Sequence, residues 1–566
     1  MKVLAFDIEA NGLNEITIGR KGETIPEADT ILCGSIYNLE TKETFGYGPR
    51  EIKQMVSELE SADIIIGHHA LGYDLPLLNR LYGRITTTVY DTLVVSRLMW
   101  PDKCGLPNGS HSLKSWGEYL GESKIDYDGG WDVFSEEMLK YCIQDSIVAA
   151  KIYDYQKDFV SKNAQSVKME HRVAEVISEQ VENGFGFDMD AAIKLEASLM
   201  MEKVSVEHEM QEIFPDQVIE RWSEKTGKRL KDKVIAFNPG SRKQIAERLH
   251  VKYDWHYPVT DKGNPKVDRT VLSKLNYPEA KILVKYFDET KLLSQVSDWI
   301  IRAQGSRDNR IHGSINTLGT VTGRMTSNNP NMQQVSSDKR ARSLFVPREG
   351  WSLVGCDLSG LELRMLAHYL HPFDSGEYAE VVLNGDIHTH NQRAMGVDTR
   401  SKAKNGIYCF LYGGGDQKFG SVIGTSSSEA RSIKNKLLSN IPALKKLLDI
   451  CRFNSVQSGN ISPFDWRDIP VRSEHATLNT LLQSSGAHIA KVWTCFADSN
   501  LKKKFKGKFK WIANVHDELQ IECESSIAHE VGKEVCRCAN LAGEFFKCRI
   551  KIDAEYRVGK NWSETH

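Results

Sequence analysis

The chain has no C-x-x-C motif. Its eleven cysteines stand as single residues, with Cys536 and Cys538 the closest pair. This spacing excludes a zinc knuckle and a disulfide framework and points to reduced thiols in a cytosol. No apolar stretch approaches the roughly 18 residues a membrane span needs. The opening "MKVLAFDIEANG" is interrupted by Asp7 and Glu9, which is unlike a secretory signal. A cytoplasmic protein with no membrane partner is the expectation. There is no surplus of either charge: 73 Lys and Arg face 75 Asp and Glu, a net of −2. A nucleic-acid partner therefore cannot be inferred from global charge and would need local basic strips. "RWSEKTGKRLKDK" (221–233) and "LKKKFKGKFKW" (501–511) are such strips, and each reads equally as a solvated loop or helix face. Repeats and low-complexity tails are lacking too.

What is present is 566 residues, 40% hydrophobic and 26% charged. That is an ordinary globular composition, too long for one core, so three or four domains are expected. The first part alternates short β-branched runs, "KVLAFDIE" and "DIIIGHHA", with a helical pattern at 136–160 that brings Leu139, Ile143, Ile147 and Ile152 near one face. This predicts an α/β domain over residues 1–160. Long charged helical patterns follow, one stopped by Gly184, with a helical pair at about 278–303. The middle reads as a helical arm. From about 310 strands, glycine turns and helices return.

Asp7 and Glu9 lie at i and i+2 at a strand end and so share a face. Asp74 closes "GHHALGYD", and Asp145 follows Tyr141 by one helical turn in "YCIQD". Taken singly, each acid reads as a cap or a surface charge. Four converging carboxylates would repel one another without cations between them, and hard divalent ions, Mg²⁺ or Mn²⁺, fit oxygen ligands. Two such ions can activate a water and stabilise a leaving oxygen, with Tyr141 orienting the water. In this order the motifs resemble the 3′–5′ exonuclease domain of the DEDD class, tyrosine variant. His69 stands where many relatives carry Asn; the carboxylates are intact, so activity is expected to survive.

A second set lies downstream. "WSLVGCDLSGLELRMLAHYL" (351–370) reads as a strand entering a helix, with Asp357 at the junction. "KWIANVHDELQIECE" reads as strand, turn, strand, with Asp517 at the turn. In isolation the acids of that turn fit a buried ion pair, a hairpin turn or a metal site. If the two strands are neighbours, both carboxylates leave one end of a sheet, as a two-metal phosphoryl-transfer site requires. Between them Arg400, Lys404, Tyr408 and Tyr412 recur every four residues, ended by Gly413–Gly415. This makes one helical stripe of two cations that can hold phosphates and two rings that can pack a sugar or a base. An amphipathic helix with a polar rim explains that stripe equally well on its own.

Taken together these motifs resemble the family A DNA polymerases, with "FNPGSRKQI" (237–245), "TVTGRMTSNNPNMQQV" (320–335), "GDIHTHNQ" (385–392) and "HATLNTLLQSSGAHIAKVW" (475–493) as further matches. "DLSGLELR", "HDE" and "LNTLLQS" are most similar to the phage replicative branch. The resemblance runs from the first strand to "GKNWSETH", and nothing resembles the separate 5′ nuclease of bacterial DNA polymerase I. It implies a multidomain α/β and α+β fold: an RNase H-like exonuclease domain (1–160), a helical thumb and start of the polymerase domain (161–309), palm (310–370 and 451–566) and fingers (371–450). It implies template-directed DNA synthesis with proofreading in phage replication, in the cytoplasm of an infected host cell. Two Mg²⁺ per active site are implied, with Mn²⁺ as substitute. Asp357 and Asp517 would bind the polymerase metals with the Leu358 carbonyl, and Asp7, Glu9, Asp74 and Asp145 those of the exonuclease. His388, Arg400 and Lys404 would grip the incoming dNTP, with Lys404 as general acid. Glu362 would exclude a ribose 2′ hydroxyl while contacting Tyr408, whose hydroxyl implies acceptance of dideoxynucleotides. Tyr412 would stack near the templating base, while Arg324, Gln483 and His516 would contact the primer end or the minor groove. Glu518 is left as a group tuning the metal site.

Implied partners are primer-template DNA, dNTPs, and a replicative helicase-primase and single-stranded DNA-binding protein. The best-known phage relative recruits thioredoxin through a long thumb insertion. Only the basic segment 221–233 stands at that place, so thioredoxin is not expected to bind. Two other classes compete. A single-subunit RNA polymerase shares two aspartates and a Lys–Tyr helix but must admit the 2′ hydroxyl, which Glu362 and the exonuclease acids argue against. A non-catalytic DNA-binding scaffold would not need both carboxylate sets intact.

Overall fold

The computed structural model describes residues 1–18, 24–103 and 105–566. The ten cysteines among them are free thiols; Cys104 lies outside the described residues. Strand β1 (Val3–Ala10) is the centre of a five-stranded sheet with β2 (Ile31–Asn38), β3 (Thr44–Tyr47), β4 (Ile64–Gly67) and β5 (Thr88–Asp91), in the order β3-β2-β1-β4-β5. β1 runs antiparallel to β2 and parallel to β4. Its even residues Leu4, Phe6 and Ile8 join the core on one face. Val3 and Ala5 on the other face pack with Ala150, so Asp7 and Glu9 share that second face. Ala150 belongs to helix α5 (Glu136–Lys162), started by Ser135, whose hydroxyl accepts from Met138 N. In chain order α1 (Ile52–Glu60) falls between β3 and β4, α2 (Asp74–Tyr82) between β4 and β5, and α3 (Thr92–Met99) and α4 (Leu113–Leu120) between β5 and α5.

Helix α6 (Ala164–Asn183) follows and stops at Gly184, φ +58°. The sequence reading assigned it to the arm. Its Met169, Val173, Val176 and Ile177 instead join the core of the C-terminal sheet. The chain divides into one unit of residues 1–186, 305–334 and 346–566 and a second of 187–304 and 335–345. The second unit contains α7 (Met189–Ile213), the ribbon β6 (Gln217–Trp222) and β7 (Arg229–Ile235), α8 (Arg242–Tyr253) and α9 (Pro278–Gly305), around Met210, Phe214, Phe237, Leu249 and Leu283. The helical pair expected near 278–303 is one unbroken helix, because no proline or glycine interrupts it before Gly305. The strip 221–233, read as a loop or helix face, forms most of the antiparallel ribbon.

The C-terminal sheet is antiparallel: β8 (Trp351–Leu358), β9 (Phe509–Val515), β10 (Glu518–Glu524) and β11 (Ala554–Gly559), in the order β9-β10-β8-β11. Between β8 and β9 lie α10 (Leu361–Asp374), α11 (Ile387–Met395), α12 (Arg400–Leu411) and α13 (Thr477–Lys504); α14 (Ala528–Phe545) follows β10. Helices α13 and α14 are tied by Trp493 Nε1 donating to Val535 O at 2.8 Å. The strip 501–511 runs from the end of α13 into β9, and its Lys502, Lys504 and Lys508 pair with Glu179, Glu534 and Glu524, while Lys503, Lys506 and Lys510 are exposed. Among the described residues no helix is long and apolar enough to cross a membrane.

Two neighbours on α6 connect these layers. Glu170 is fully buried. Its carboxylate accepts from Lys491 of α13 at 2.8 and 2.7 Å and from Arg467 at 3.3 Å. Burial pulls Lys491 down to about 8 despite the carboxylate. His171 Nε2 accepts from Asp91 N at 2.9 Å, so Nδ1 carries the proton and donates to Val167 O at 2.8 Å. Asp91 in turn accepts from His69 N and Leu71 N, both at 3.0 Å, and from Leu93 N at 2.9 Å. Removing the Glu170 charge strands two buried cations, which costs on the order of 3–5 kcal/mol in comparable pairs. Glu170→Gln is expected to lower unfolding free energy by that order in urea denaturation. A loss below about 1 kcal/mol, the scale of a surface pair, would contradict the assignment.

Candidate functional site

The β8 and β10 strands are adjacent, with Asp357 opposite Glu518, and Asp357 opposite Glu555 on β11. Asp517 sits in the two-residue turn between β9 and β10. That turn needs His516 at φ +61°, a region where His is tolerated better than most residues. Leu358 N donates to Asp517 O at 3.0 Å, which locks the end of β8 to the turn. Both aspartates thus leave the same end of the sheet. Asp357 is exposed to solvent, yet partial desolvation at the strand end, then repulsion from Asp517 and Glu518, pushes its carboxyl up to about 7. Burial, then Glu362, raises Asp517 as well. Glu518 differs. Burial opposes its charge, but hydrogen bonds from His566 at 2.6 Å, Gln520 at 2.6 Å and Trp562 at 2.8 Å hold its carboxyl below the usual range. It is saturated by protein donors, whereas the two aspartates are short of positive charge.

A cavity of about 300 Å³ opens beside Asp517, lined among others by Arg324, Glu362, Tyr412, Lys491 and His516. Glu362, in the first turn of α10, accepts from Tyr412 OH at 3.0 Å and from Arg324 at 3.3 Å. Tyr412 caps α12 and supplies this hydrogen bond, while Tyr408 lies alongside, its ring 6.3 Å from that of Tyr412 and 6.3 Å from that of His388, and burial, then the Glu362 charge, raises its hydroxyl. Burial and Glu362 push the Tyr412 hydroxyl up to about 12. Arg324 is carried by a turn in which Gly323 has φ +79°, and a Cβ there would lie 2.5 Å from Arg467 Nη2. Only glycine meets both demands.

The α12 stripe is helical as its spacing predicts, with Thr399 accepting from Lys402 N. Arg400 forks onto Asp386 at 2.8 and 3.1 Å, and Asp386 also caps α11. Lys404 is exposed. His388 Nδ1 is buried without a hydrogen-bond partner. Gln483 is half-buried on α13, one turn before the Gly486 and Ala487 that line the cavity. Lys491, Gln333 and Asn514 also line it. The sequence reading missed them because a polar residue inside a helix or strand pattern carries no signal of its own.

In the N-terminal domain, ligand atoms of Asp7, Glu9 and Asp145 lie within 4.8 Å of one another. Asp74, at the start of α2, stands outside that set but adds to the repulsion on Asp7 and Glu9. Burial, then Asp145 and its neighbours, pushes Glu9 up to about 9 and holds Asp7 well above the carboxylate range. Burial raises Asp74 to about 7 and Asp145 to about 6. Asp145 Oδ1 is buried without a partner. Hard oxygen donors this close and this reluctant to ionise fit a divalent cation. His69 has φ +72°. Asn also accepts this conformation, so the residue exchange noted in the sequence keeps the turn.

Residues 209–564 match the family described as DNA polymerase family A. The chain is 30% identical over 720 aligned residues to the DNA-directed DNA polymerase of Enterobacteria phage T3, with 100% of each covered. It is likewise 30% identical over 717 to that of Escherichia phage T7, again with 100% of each covered. DNA polymerase I of Aquifex aeolicus is 25% identical over 523 residues, 88% of each. The fold resembles the POL domain of Pol1 from M. smegmatis, solved in complex with DNA primer-template and dNTP, at TM-score 0.79 and 19% identity, covering 99% of this chain and 96% of that one.

The raised carboxyls set a pH dependence. Asp145, Asp74 and Glu9, at about 6, 7 and 9, keep protons in the folded chain that the unfolded chain has lost above its ordinary value near 4. The folded state binds more protons in that window, so stability of the metal-free protein falls as pH rises from about 4 toward 9. A divalent ion displaces those protons, so its stabilisation grows over the same range. Thermal unfolding from pH 5 to 9, with EDTA or with Mg²⁺, is expected to show both trends. Asp7→Asn with Glu9→Gln should flatten them. Ion stabilisation greatest at low pH would contradict the assignment.

Proposed function

Because the chain belongs to DNA polymerase family A, we propose that it is a template-directed DNA polymerase that extends a primer 3′ end with dNTPs in phage replication. We further propose that it proofreads at the N-terminal site by 3′–5′ hydrolysis. The observation that carries this reading is that one chain holds two separate sets of charge-starved carboxylates, Asp357 with Asp517 and Asp7 with Glu9 and Asp145. Two divalent ions per site, Mg²⁺ with Mn²⁺ as substitute, would supply the charge that activates the nucleophile and stabilises the leaving oxygen.

In this reading Asp357, Asp517 and the Leu358 carbonyl hold the polymerase ions, and Asp7, Glu9, Asp74 and Asp145 the others. The triphosphate meets Lys404, His388 and Arg400. His388 brings a buried ring nitrogen that lacks a partner, and Arg400 is already oriented by Asp386. Lys404 donates a proton to the departing pyrophosphate. Glu362, fixed by Arg324 and Tyr412, walls off a ribose 2′ hydroxyl. Tyr408 packs under the sugar and lets a nucleotide without a 3′ hydroxyl be used. Tyr412 lies by the templating base, and Arg324, Gln483 and His516 meet the primer end. Tyr141, one turn from Asp145, orients the hydrolytic water. Residues 1–160 form the exonuclease, 310–370 and 451–566 the palm, 371–450 the fingers and the helical middle the thumb. A helicase-primase and a single-stranded DNA-binding protein are the replisome partners.

The test is a separation of activities. Asp357→Ala or Asp517→Ala is expected to reduce primer extension by more than about a hundredfold, a loss that even an outer partner of a metal ligand can cause, while leaving single-strand degradation intact. Asp7→Ala with Glu9→Ala should do the reverse. Loss of both activities from either change contradicts the two-site reading.

The ribbon β6–β7 is exposed along its length and Arg229 is held by Glu220 and Asp232, which leaves Lys225, Lys228 and Lys231 exposed. These lysines contact DNA phosphates, and thioredoxin is not required. Product length in primer extension is expected to be indifferent to added thioredoxin. Lys228→Ala with Lys231→Ala should shorten products and weaken the salt dependence of binding. Longer products with thioredoxin would show that the ribbon is not self-sufficient.

A further inference from the structure

The loop between α4 and α5 carries a lysine that the proposed hydrolysis leaves without a role. Gln144 Nε2 of α5 donates to Glu122 Oε1 at 3.0 Å and to Ser123 O at 3.1 Å, and Lys151 pairs with Glu122. The loop is thus tied to α5 one residue before Lys124. The Lys124 side chain then turns inward, 19% exposed, with Nζ 2.6 Å from Asp145 Oδ2. Nζ also donates to the Tyr141 hydroxyl and lies 4.2 Å from the centre of the Tyr141 ring. The same loop supplies Tyr127 and Trp131, whose ring centroids are 5.7 and 6.0 Å from that of Tyr141.

An ammonium can only donate. The Tyr141 oxygen therefore accepts from Lys124, which directs the phenolic proton and the second lone pair away from the lysine. The neighbouring rings and the ammonium at its tip hold the phenol in place. Asp145 Oδ1 has no partner, so that carboxylate keeps an oxygen for a cation while Lys124 holds the other.

We propose that Lys124 is a positioning residue of the N-terminal site: it fixes the Tyr141 hydroxyl toward the attacking water. The proposal rests on the reading of this site as a 3′–5′ exonuclease. A plain salt bridge that only balances Asp145 is the competing account. The two differ in the partner through which the lysine acts.

The full chain is used, with Lys124→Met and Lys124→Gln as independent variants, and primer extension by the same preparations reports an intact fold. Hydrolysis of single-stranded DNA is followed at saturating DNA across a Mg²⁺ titration. Lys124→Met is expected to lower kcat about ten- to a hundredfold, the usual effect of losing an outer partner, with KM for DNA and the Mg²⁺ midpoint unchanged. Tyr141→Phe should lose a similar amount, and Lys124→Met combined with Tyr141→Phe no more than Tyr141→Phe alone, because the two act as a unit. Multiplying losses in the double variant, a loss seen only as a shifted Mg²⁺ midpoint, or an unchanged kcat would each overturn the proposal. Degradation that survives Asp7→Ala with Glu9→Ala would instead sink the exonuclease reading itself. Degradation that this change removes, together with an unaffected Lys124→Met, rejects the role of Lys124 alone.

Discussion

One buried carboxylate underlies the arrangement at the C-terminal sheet. Glu170 is out of water and balanced by Lys491 and Arg467. Lys491 fixes the middle of α13, whose neighbouring turns line the cavity, and Arg467 Nη2 occupies the space that a Cβ at Gly323 would need. Arg324 follows directly and bonds Glu362, which also takes the Tyr412 hydroxyl. Each contact is ordinary. The sequence of contacts places the cavity wall relative to Asp517 through groups that cannot relax independently, because a buried charge deprived of its partner is far less stable than one that never entered the core.

The two acidic centres solve the same electrostatic problem differently. At the sheet end the third acid, Glu518, keeps its charge with three donors from the chain to stabilise it, so Asp357 and Asp517 alone are left wanting positive charge. In the N-terminal domain three carboxylates face one another with one ammonium at the edge. Neither arrangement is a stable resting state with all of its acids ionised. The shifts upward in Glu9, Asp74 and Asp357 are the measure of that.

The sequence was most informative where periodicity and chemistry coincide. Asp7 and Glu9 at alternate strand positions, Tyr141 and Asp145 one turn apart and the Arg400–Tyr412 stripe all lie on the elements their spacing implies. The adjacency of β8 and β10 was legible only as a condition, since strand pairing between residues far apart in the chain leaves no local mark. Partners set by tertiary packing escaped entirely. The hydrogen bond from Tyr412 to Glu362 joins residues 50 positions apart, and no local pattern announces it. The assignment of α6 to a helical arm failed for a similar reason: its charged pattern hides Glu170, a charge whose partners sit some 300 positions away in the chain. Lys124 lies in a polar loop, where one lysine looks like any other.

Adjacent positions on α6 bind opposite neighbours: Glu170 takes the cations of the C-terminal part and His171 the backbone of Asp91. Successive residues on a helix point about 100° apart, so this one short segment addresses both sides at a fixed angle. A crossover between lineages at this boundary would have to bring the helix, the loop it grips and the two cations together. Splicing in a foreign N-terminal domain at residue 163 would keep Glu170 with its two cations and leave the His171 imidazole without the Asp91 backbone it binds.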